Sequence, residues 1–278
     1  MSSFIRWKVD SALLLSEDYK LNNNIANKVH RMGFDYISKK YTHISPENIE
    51  NFLKISKTLY KSLTGKGIDI GGGIGSVSSV VAKSNLVEEI ICLEITENAV
   101  IKCQPIIKEN ILGLNSHKVI SVIGDFNNLQ LERESLDFAI AWDSIHHSFD
   151  PVETLKEIRR VLKKQGKFIL IDRGHQNSTS DLEIERMLNV VYSKNFMIEN
   201  FLPEDKVLSR RDNGEHEYRF NEWEEFFNQS GFIINEAFAV FGKGKNNKIK
   251  NDANYKEYSV AYELGGFEKQ KIVYVLEK

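Results

Sequence analysis

Short apolar runs that alternate with helically spaced apolar residues dominate the middle of the chain. The runs predict buried strands over residues 67–70, 89–94, 118–123, 136–142 and 167–172. The clearest helix signal between them is Asp150-Pro151-Val152-Glu153, where a cap residue, a proline and an acid precede a helix predicted over 152–164. Strands separated by helices predict an α/β fold with a mostly parallel sheet.

The chain on either side of this core has a different pattern. Residues 1–64 carry helically spaced apolar positions over 16–41 and again after Ser45-Pro46-Glu47, which predicts an N-terminal helical extension without a strand. Its apolar stripe needs a partner surface, so packing on the core is a simpler role for it than covering a ligand mouth. Residues 65–278 are predicted to form the main domain, with a helical and loop insert over 174–220.

Within the insert, a helix is predicted over 181–196. After it, Asn221 is predicted to cap an aromatic-rich helix that stops at Gly231, and strands are predicted over 232–241 and 271–276. The basic cluster at 243–250 is interleaved with Asn and Gly and is typical of a solvated loop.

Composition excludes several classes of protein. The chain has 278 residues, with 41% hydrophobic and 27% charged residues, as in soluble globular proteins. A net charge of -2 gives no electrostatic reason to expect nucleic acid, and no apolar run approaches a membrane span. Two cysteines fit a reducing compartment better than a disulfide framework. We therefore expect a cytoplasmic protein whose partner is a small molecule, and nothing in the pattern indicates an oligomeric state.

A glycine-rich turn follows the first strand of the main domain. Gly71, Gly73 and Gly75 occupy alternate positions, and Asp69 precedes them at the end of the strand. A strand, a glycine turn and a helix together offer backbone N–H groups to a ligand, and the missing side chains allow it to come close. Taken alone, this pattern could also serve a dinucleotide, so NAD is the alternative ligand. However, the dinucleotide fingerprint places its third small residue one position later than Gly75, where Ser76 stands.

Carboxylates follow the next two strands. Glu94 ends the strand over 89–94, about twenty residues past the glycines, where a nucleotide fold offers an acid to the ribose hydroxyls. A carboxylate suits this position because it accepts from both hydroxyls. The strand over 118–123 leads into Gly124-Asp125-Phe126.

Taken in order, these motifs resemble the class I S-adenosylmethionine (SAM) methyltransferases. The resemblance covers about residues 65–173. The motif Ile145-His146-His147 followed by Asp150-Pro151 is similar to that of their small-molecule (type 11) subgroup. It implies a Rossmann-like sheet whose last strand is antiparallel, SAM as the cofactor and S-adenosylhomocysteine (SAH) as the product. In this family the acid at Asp125 accepts from the adenine amino group. The residues expected to bind the cofactor are Asp69, Gly71, Gly73, Gly75, Glu94, Asp125, Phe126 and Trp142.

Methyl transfer to a hydroxyl requires in-line positioning and the removal of a proton. His146 and His147 follow the strand end that should face the methyl group, and histidine titrates near neutrality, so one of them is the predicted general base. The alternative is that they only hold the loop through hydrogen bonds. A metal mechanism would use Asp143 and Asp172, at the ends of neighbouring strands, to hold Mg²⁺. No third ligand is identifiable, so no metal site is predicted.

The insert carries a polar segment where this family usually places its acceptor contacts. Arginine suits bidentate contact with phosphate. The residues expected to bind the acceptor are Arg210, Arg211, His216, Tyr218 and Arg219. The string His216-Glu217-Tyr218 before Asn221-Glu222-Trp223 also resembles, less specifically, methyltransferases of bacterial surface-glycan assembly.

We therefore expect a SAM-dependent methyltransferase that acts on a hydroxyl of a sugar, or of a nucleotide-linked or phosphorylated metabolite. An NAD-dependent dehydrogenase is one alternative, and relative affinity for SAM and NAD decides between them. A catalytically inactive methyltransferase-like subunit that serves a partner is another, against which turnover by the isolated chain would count. A nucleic-acid methyltransferase is disfavoured by the net charge and by the absence of an Asn-Pro-Pro-aromatic motif after the fourth strand.

Overall fold

A computed structural model describes residues 4–42, 45–199, 202–203, 205–242, 261–264 and 270–278, without the side chains of 17, 39–42 and 261. The basic cluster predicted at 243–250 lies outside the described residues. Within them, no helix is both long and apolar enough to cross a membrane.

The described strands form one sheet. They are β1 (Phe4–Arg6), β2 (Gly65–Ile70), β3 (Val87–Glu94), β4 (Val119–Ile123), β5 (Leu136–Trp142), β6 (Leu162–Asp172), β7 (Ile233–Gly242), β8 (Ala261–Leu264) and β9 (Lys271–Glu277). Their spatial order is β1-β4-β3-β2-β5-β6-β9-β7-β8. All neighbouring pairs are parallel except those of β9, which runs antiparallel to β6 and β7. The predicted α/β architecture with an antiparallel last strand is confirmed.

Helices cover both faces of the sheet, and a group of them precedes β2 in the chain. They are α1 (Ser11–Leu15), α2 (Glu17–Val29), α3 (Phe34–Thr42), α4 (Pro46–Leu53), α5 (Lys57–Ser62), α6 (Ser76–Ala82), α7 (Gln104–Leu112), α8 (Pro151–Val161), α9 (Asp181–Leu188), α10 (Lys194–Glu199) and α11 (Phe220–Ser230). Short 3-10 turns occur at His30–Met32, Gly113–Lys118, Ile145–His147 and Arg211–Asn213, and a π-helical turn occurs at Ala99–Cys103.

Three apolar clusters hold these layers together. On one sheet face, α8 and α11 bury Trp223 and Phe227 against Tyr274 of β9. On the other face, α4, α5 and α6 pack on the sheet around Phe52 and Phe138. The third cluster joins the N-terminal helices to the π-helical turn, to α7 and to Ile74 within the glycine turn; its buried members are Ala26, Val29, Ile37, Ile74, Ala99, Cys103 and Ile107. The N-terminal extension therefore packs on the helices beside the glycine turn, as the stripe predicted.

The order of the strands reverses between β2 and β5. From β2 the chain builds outward through β3 and β4, and it then returns to the other side of β2 to build β5 and β6. The register pairs Ile70 at the end of β2 with Ala141 near the end of β5, so the loops after both strands leave at the same edge. In open α/β sheets ligands bind at such a reversal, outside the carboxyl ends of the strands.

The expectation of helices without a strand before residue 65 is wrong at one place. Phe4–Arg6 forms β1 and pairs in parallel with the edge strand β4, which would otherwise expose unpaired backbone groups. Trp7 continues this contact, since its N–H donates to the carbonyl of Ile123 at 2.8 Å. Its ring fills the space beside Gly124, where a Cβ would lie 2.9 Å from the Trp7 side chain. A strand of three residues is too short to show a period in the sequence.

Several predicted element bounds are also wrong. The helix predicted over 16–41 breaks at Gly33, which has φ +78°, and the helix predicted over 181–196 ends at Leu188 and restarts at Lys194. The helix predicted to end at 164 ends at Val161, because Leu162 already pairs with β5. Asn221 is not the cap of α11: the cap is Arg219, whose backbone N–H donates to the Glu222 carboxylate at 2.7 Å.

The register of β2 against β5 leaves no room for a side chain at Gly67. Gly67 pairs with Phe138, whose ring covers it so closely that a Cβ on Gly67 would lie 2.1 Å from the ring. We expect Gly67→Ala to lower the free energy of unfolding by about 1–3 kcal/mol through overpacking, measured by urea denaturation. The neighbouring Lys66→Ala should leave stability nearly unchanged, because that side chain is exposed. A Gly67→Ala protein as stable as the wild type would contradict this register.

Candidate active site

The glycine turn after β2 leaves open space on one side. Gly71, Gly73 and Gly75 all have left-handed backbones, with φ +67°, +53° and +86°. A Cβ on Gly71 would lie 2.6 Å from the Cβ of Ser144, so that glycine is needed for packing between the β2 and β5 loops. A Cβ on Gly73, in contrast, would have no described atom within 4 Å. Gly73 thus borders a space that a side chain would fill and that a ligand can use.

The Gly73 peptide is held from two elements. Its N–H donates to Oε2 of Glu94 at 3.0 Å, and its carbonyl accepts from Nε2 of Gln104 at 2.9 Å. The second oxygen of Glu94 accepts from the backbone N–H of Thr96 at 2.8 Å. Each carboxylate oxygen has a further lone pair, so Glu94 can still accept from ribose hydroxyls. Gln104 was not predicted: it is buried at the start of α7, directly after the π-helical turn, a feature frequent at functional sites.

Asp69 lies beneath this turn rather than in the open space. It is buried, and its carboxylate accepts from the hydroxyl of Ser78 in α6 at 2.5 Å. Burial raises the pKa of Asp69 to about 7. The contact of Asp69 with Ser78 therefore joins the end of β2 to α6 and supports the turn between them.

The remaining residues predicted to bind the cofactor lie at the carboxyl ends of neighbouring strands. Asp125 and Phe126 follow β4. Oδ1 of Asp125 accepts from the backbone N–H and from the side-chain amide of Asn127, and Phe126 packs against the core. Trp142 ends β5 and packs on Phe52 of α4, with ring centroids 4.6 Å apart. The structure thus brings the glycine turn, Glu94 and Asp125 to one edge of the sheet.

Both ring nitrogens of His146 are occupied. Nδ1 lies 2.6 Å from the Asp172 carboxylate, and Nε2 lies 2.9 Å from the guanidinium of Arg173. Because a guanidinium can only donate, Nε2 accepts, and the ring hydrogen on Nδ1 is donated to Asp172. His146 is also buried, with 1% exposure. It can hold the loop after β5, but it has no lone pair left for a ligand.

His147 has a different environment. Its Nδ1 lies 3.0 Å from the carbonyl of Gly214 in the insert and therefore donates to it. This leaves Nε2 with a lone pair, and within the part of the chain that the structure describes no hydrogen-bond partner approaches it. Burial lowers the pKa of His147 to about 4, so the ring is neutral near physiological pH. A neutral imidazole with a free lone pair can accept a proton, and its lowered pKa makes it a weaker base than an ordinary histidine.

The two carboxylates considered for Mg²⁺ lie with His146 in one group, whose ligand atoms are within 4.8 Å of one another, so a third possible ligand that the sequence did not identify is present. Asp143 forms an ion pair with Lys271 of β9, which lowers the pKa of Asp143 although burial works against this. Asp172 is fully buried, and it accepts from His146 and from the backbone N–H of Arg173 at 2.8 Å. Lys271 on Asp143, and the His146 ring and a backbone N–H on Asp172, therefore already use oxygens that a metal ion would need.

A buried ion-pair network connects the end of β6 to the insert. Arg173 contacts Glu215 at 2.5 Å and Glu217 at 3.0 Å, and Arg210 pairs with Glu217 as well. His175 adds a contact to Glu217 at 2.5 Å. Burial opposes ionisation of Glu217, but the hydrogen bond from His175 and the two arginines lower its pKa to about 2. None of Arg173, Glu215 and Glu217 was predicted as a site residue, although Arg173 directly follows a strand end.

The other residues predicted to bind the acceptor make contacts within the insert. Arg211 pairs with Glu185 at the surface, and Arg219 pairs with Asp181 and Glu222. His216 lies 2.9 Å from the carbonyl of His146 through Nδ1, next to the half-buried Tyr218. Tyr218 packs edge-on against Trp223 and Phe226 of α11. All three predicted arginines therefore have carboxylate partners of their own.

The N-terminal extension also reaches this edge. A Cβ on Gly214 would lie 3.4 Å from Oδ2 of Asp18 in α2 and 3.5 Å from Nδ1 of His147. Asp18 therefore lies beside the candidate base, although no sequence signal distinguishes it from any other acid near a helix start. The extension both packs on the core and borders the site.

Comparison with known proteins identifies the central part of the chain. Residues 68–170 match the sequence model of a family described as a methyltransferase domain. Two uncharacterized chloroplastic methyltransferases of Arabidopsis thaliana are similar to it. One is 29% identical over 102 residues, which is 37% of this chain and 29% of that protein. The other is 27% identical over 121 residues, 43% and 34% respectively. The chain thus spans about a third of the length of these curated relatives.

Solved structures agree on the fold. The mitomycin 7-O-methyltransferase superposes with a TM-score of 0.59 at 13% identity, over 97% of this chain and 62% of that chain. A SAM-dependent methyltransferase from Leishmania major has a TM-score of 0.53 at 13% identity, over 96% and 88%. These similarities extend beyond the matched domain and include the N-terminal helices and the insert.

The buried network predicts a pH-dependent loss of stability. We expect Glu217→Gln to lower the free energy of unfolding by about 3 kcal/mol near neutral pH, because it leaves Arg173 and Arg210 without their shared carboxylate. The pKa of Glu217 is lowered from 4.5 to about 2, so its contribution is present above pH 4.5 and is lost as the pH falls towards 2. Urea denaturation at several pH values should show the difference between wild type and variant shrinking below pH 4.5.

Glu183→Gln is the matched control, because Glu183 pairs with Arg186 on an exposed helix surface. It should leave stability unchanged at every pH. A difference between wild type and Glu217→Gln that stays constant down to pH 3 would contradict a lowered pKa of Glu217.

Proposed function

We propose that the protein, whose residues 68–170 match a methyltransferase domain, transfers a methyl group from SAM to a hydroxyl of a small polar molecule. One observation carries this proposal: the left-handed Gly73 peptide, held by Glu94 and Gln104, borders open space at the reversal of the sheet. That is where a ligand of an open α/β sheet binds.

The residues at this edge fit the parts of the cofactor. Glu94 keeps lone pairs for the ribose hydroxyls, and Asp125 has an oxygen left for the adenine amino group. The backbone at Gly73 is open to the methionine part, because a Cβ there would meet no described atom within 4 Å. When bound, SAM supplies an electrophilic methyl group on a positively charged sulfur.

We assign removal of the proton to His147. Nε2 of His147 would accept the proton of the acceptor hydroxyl as that oxygen takes the methyl group that bound SAM would supply. His146 is a positioning residue in this proposal, because Asp172 and Arg173 use both of its ring nitrogens. It supports the loop on which His147 stands.

The proposed acceptor is a hydroxyl of a sugar, including nucleotide-linked or phosphorylated forms. Phosphate recognition by Arg210, Arg211 or Arg219 would require exchange of a carboxylate partner for the phosphate. Sugars of surface-glycan assembly are supported by the His216-Glu217-Tyr218 string alone. Cys92 and Cys103 are free and buried, which supports the proposal of a cytoplasmic location.

The cofactor assignment predicts the effect of two substitutions. Gly73→Val should abolish SAM binding in calorimetry, because the new side chain fills the open space beside the turn. Glu94→Ala should weaken binding by about 1–3 kcal/mol, since the groups it serves lose their acceptor. Gly113→Val is a matched control: Gly113 has φ +55° and also has no described atom within 4 Å of a Cβ, but it lies at the end of α7. Wild-type SAM affinity in Gly73→Val would remove the basis of the proposal.

The assignment of His147 predicts the pH dependence of turnover. Because its pKa is lowered to about 4, the base is already deprotonated at neutral pH, so log kcat should be level from about pH 5 upwards and fall only below it. His147→Ala should lower kcat by about 10²- to 10⁴-fold with SAM affinity unchanged. EDTA should have no effect.

A rise of log kcat with unit slope up to neutral pH would contradict a neutral His147. Loss of activity in EDTA with recovery in Mg²⁺ would instead support the carboxylates Asp143 and Asp172.

A further inference from the structure

Helix α2 places Asp18 firmly at the candidate active site. The helix is tied to the segment before α7 by the Asn23 and Asn98 side chains, with hydrogen bonds of 2.8 and 3.1 Å to each other's backbones, and by Lys102, which donates to Asn27. Asp18 stands in its first turn, and its Oδ2 and Nδ1 of His147 lie 3.4 and 3.5 Å from the point where a Cβ on Gly214 would be. The position of Asp18 is therefore fixed by packing and not by a charge partner.

Asp18 differs from the other carboxylates at this edge in its partners. Asp143 has Lys271, Asp172 has His146, and both Glu215 and Glu217 have Arg173. Glu94 accepts from two backbone N–H groups. The Asp18 carboxylate accepts from the Asn22 amide at 2.7 Å, and over the described ranges of the chain no cationic side chain pairs with it.

The charges that act on Asp18 are negative. Burial is the main cause, and Glu94 and Glu215 add to it, in raising the pKa of Asp18 to about 6. Among the described residues, more carboxylates than cationic side chains lie at this edge: Asp18, Glu94, Asp125, Asp143, Asp172, Glu215 and Glu217 against Arg173, Arg210 and Lys271. The site therefore has an excess of negative charge that a positively charged ligand would offset.

The transferred methyl group must pass from the ribose side of the site to the acceptor side. Asp18 interacts with Glu94, which is proposed to contact the ribose, and it lies beside His147, which is proposed to face the acceptor. We propose that Asp18 pairs with the sulfonium of bound SAM and thereby makes the site prefer the charged cofactor over the uncharged product SAH. This inference rests on the proposed function. Since transfer removes the positive charge, the attraction to Asp18 ends with the reaction and product release is favoured.

Calorimetry with SAM and with SAH tests the proposal without knowledge of the acceptor. In Asp18→Asn we expect the preference for SAM over SAH to fall about tenfold, through weaker SAM binding, while SAH affinity stays the same or rises. Asp35→Asn is the matched control, because Asp35 is also the second residue of its helix, α3, and is exposed. It should keep the wild-type preference. The melting temperature of Asp18→Asn should equal or exceed that of the wild type, since a carboxylate beside Glu94 and Glu215 has been neutralised.

Proton release gives a second measurement. In the free protein near pH 6, Asp18 is partly protonated, and pairing with a sulfonium should expel that proton. The groups that face Asp18 are Asn22 on its own helix, Glu94 after β3, Glu215 in the insert, and His147, whose pKa of about 4 leaves it neutral here. Calorimetry in two buffers of different ionisation enthalpy should therefore show release of a fraction of a proton with SAM, none with SAH, and none with either in Asp18→Asn.

Three outcomes separate the possibilities. An unchanged ratio of SAM to SAH affinity in Asp18→Asn overturns the proposal, as would be found if the cation at Asp18 belonged to the acceptor. An equal loss of both affinities also overturns it and assigns Asp18 a structural role in α2. If the wild-type protein binds neither SAM nor SAH, the proposed function fails and this inference fails with it.

Discussion

The Gly73 peptide group is the point on which the rest of the site depends. Glu94 holds its N–H and Gln104 holds its carbonyl, so the end of β3 and the start of α7 together fix the turn after β2. A left-handed backbone is inexpensive only for glycine, and the outer side of this one faces no described atom within 4 Å of a Cβ. Two hydrogen bonds therefore fix a peptide group whose outer side carries no side chain. A cofactor can approach such a backbone surface closely.

Ion pairs connect this edge to the insert. Arg173 follows β6 directly and contacts both Glu215 and Glu217, whose side chains are largely buried. A buried carboxylate that lost its partner would cost several kcal/mol, so the insert cannot leave the sheet without disrupting these pairs. The same network explains why Arg210, predicted from its residue type to contact the acceptor, instead pairs with Glu217.

The sheet and the glycine turn could be predicted because they depend on local patterns, namely apolar runs and glycines at fixed spacing. β1 could not, since its formation depends on the edge of β4 and not on its own three residues. His146 and His147 could be predicted as a pair but not distinguished, because their roles depend on where Arg173 lies. No sequence signal marked Asp18, because its environment is created by burial and by Glu94 and Glu215, which are far along the chain.

The protonation state of His147 and the charge of Asp18 depend on each other. A protonated His147 would be a cation beside Asp18 and Glu215, and it would occupy the role proposed here for the sulfonium. Burial of His147 disfavours that form and keeps the ring neutral, which preserves its lone pair for the acceptor proton. Because the ring is neutral, the negative charge of Asp18 stays available for a positively charged ligand. One cause, exclusion of water by the insert around Gly214 and by α2, thus supports both the proposed base and the proposed preference for a charged cofactor.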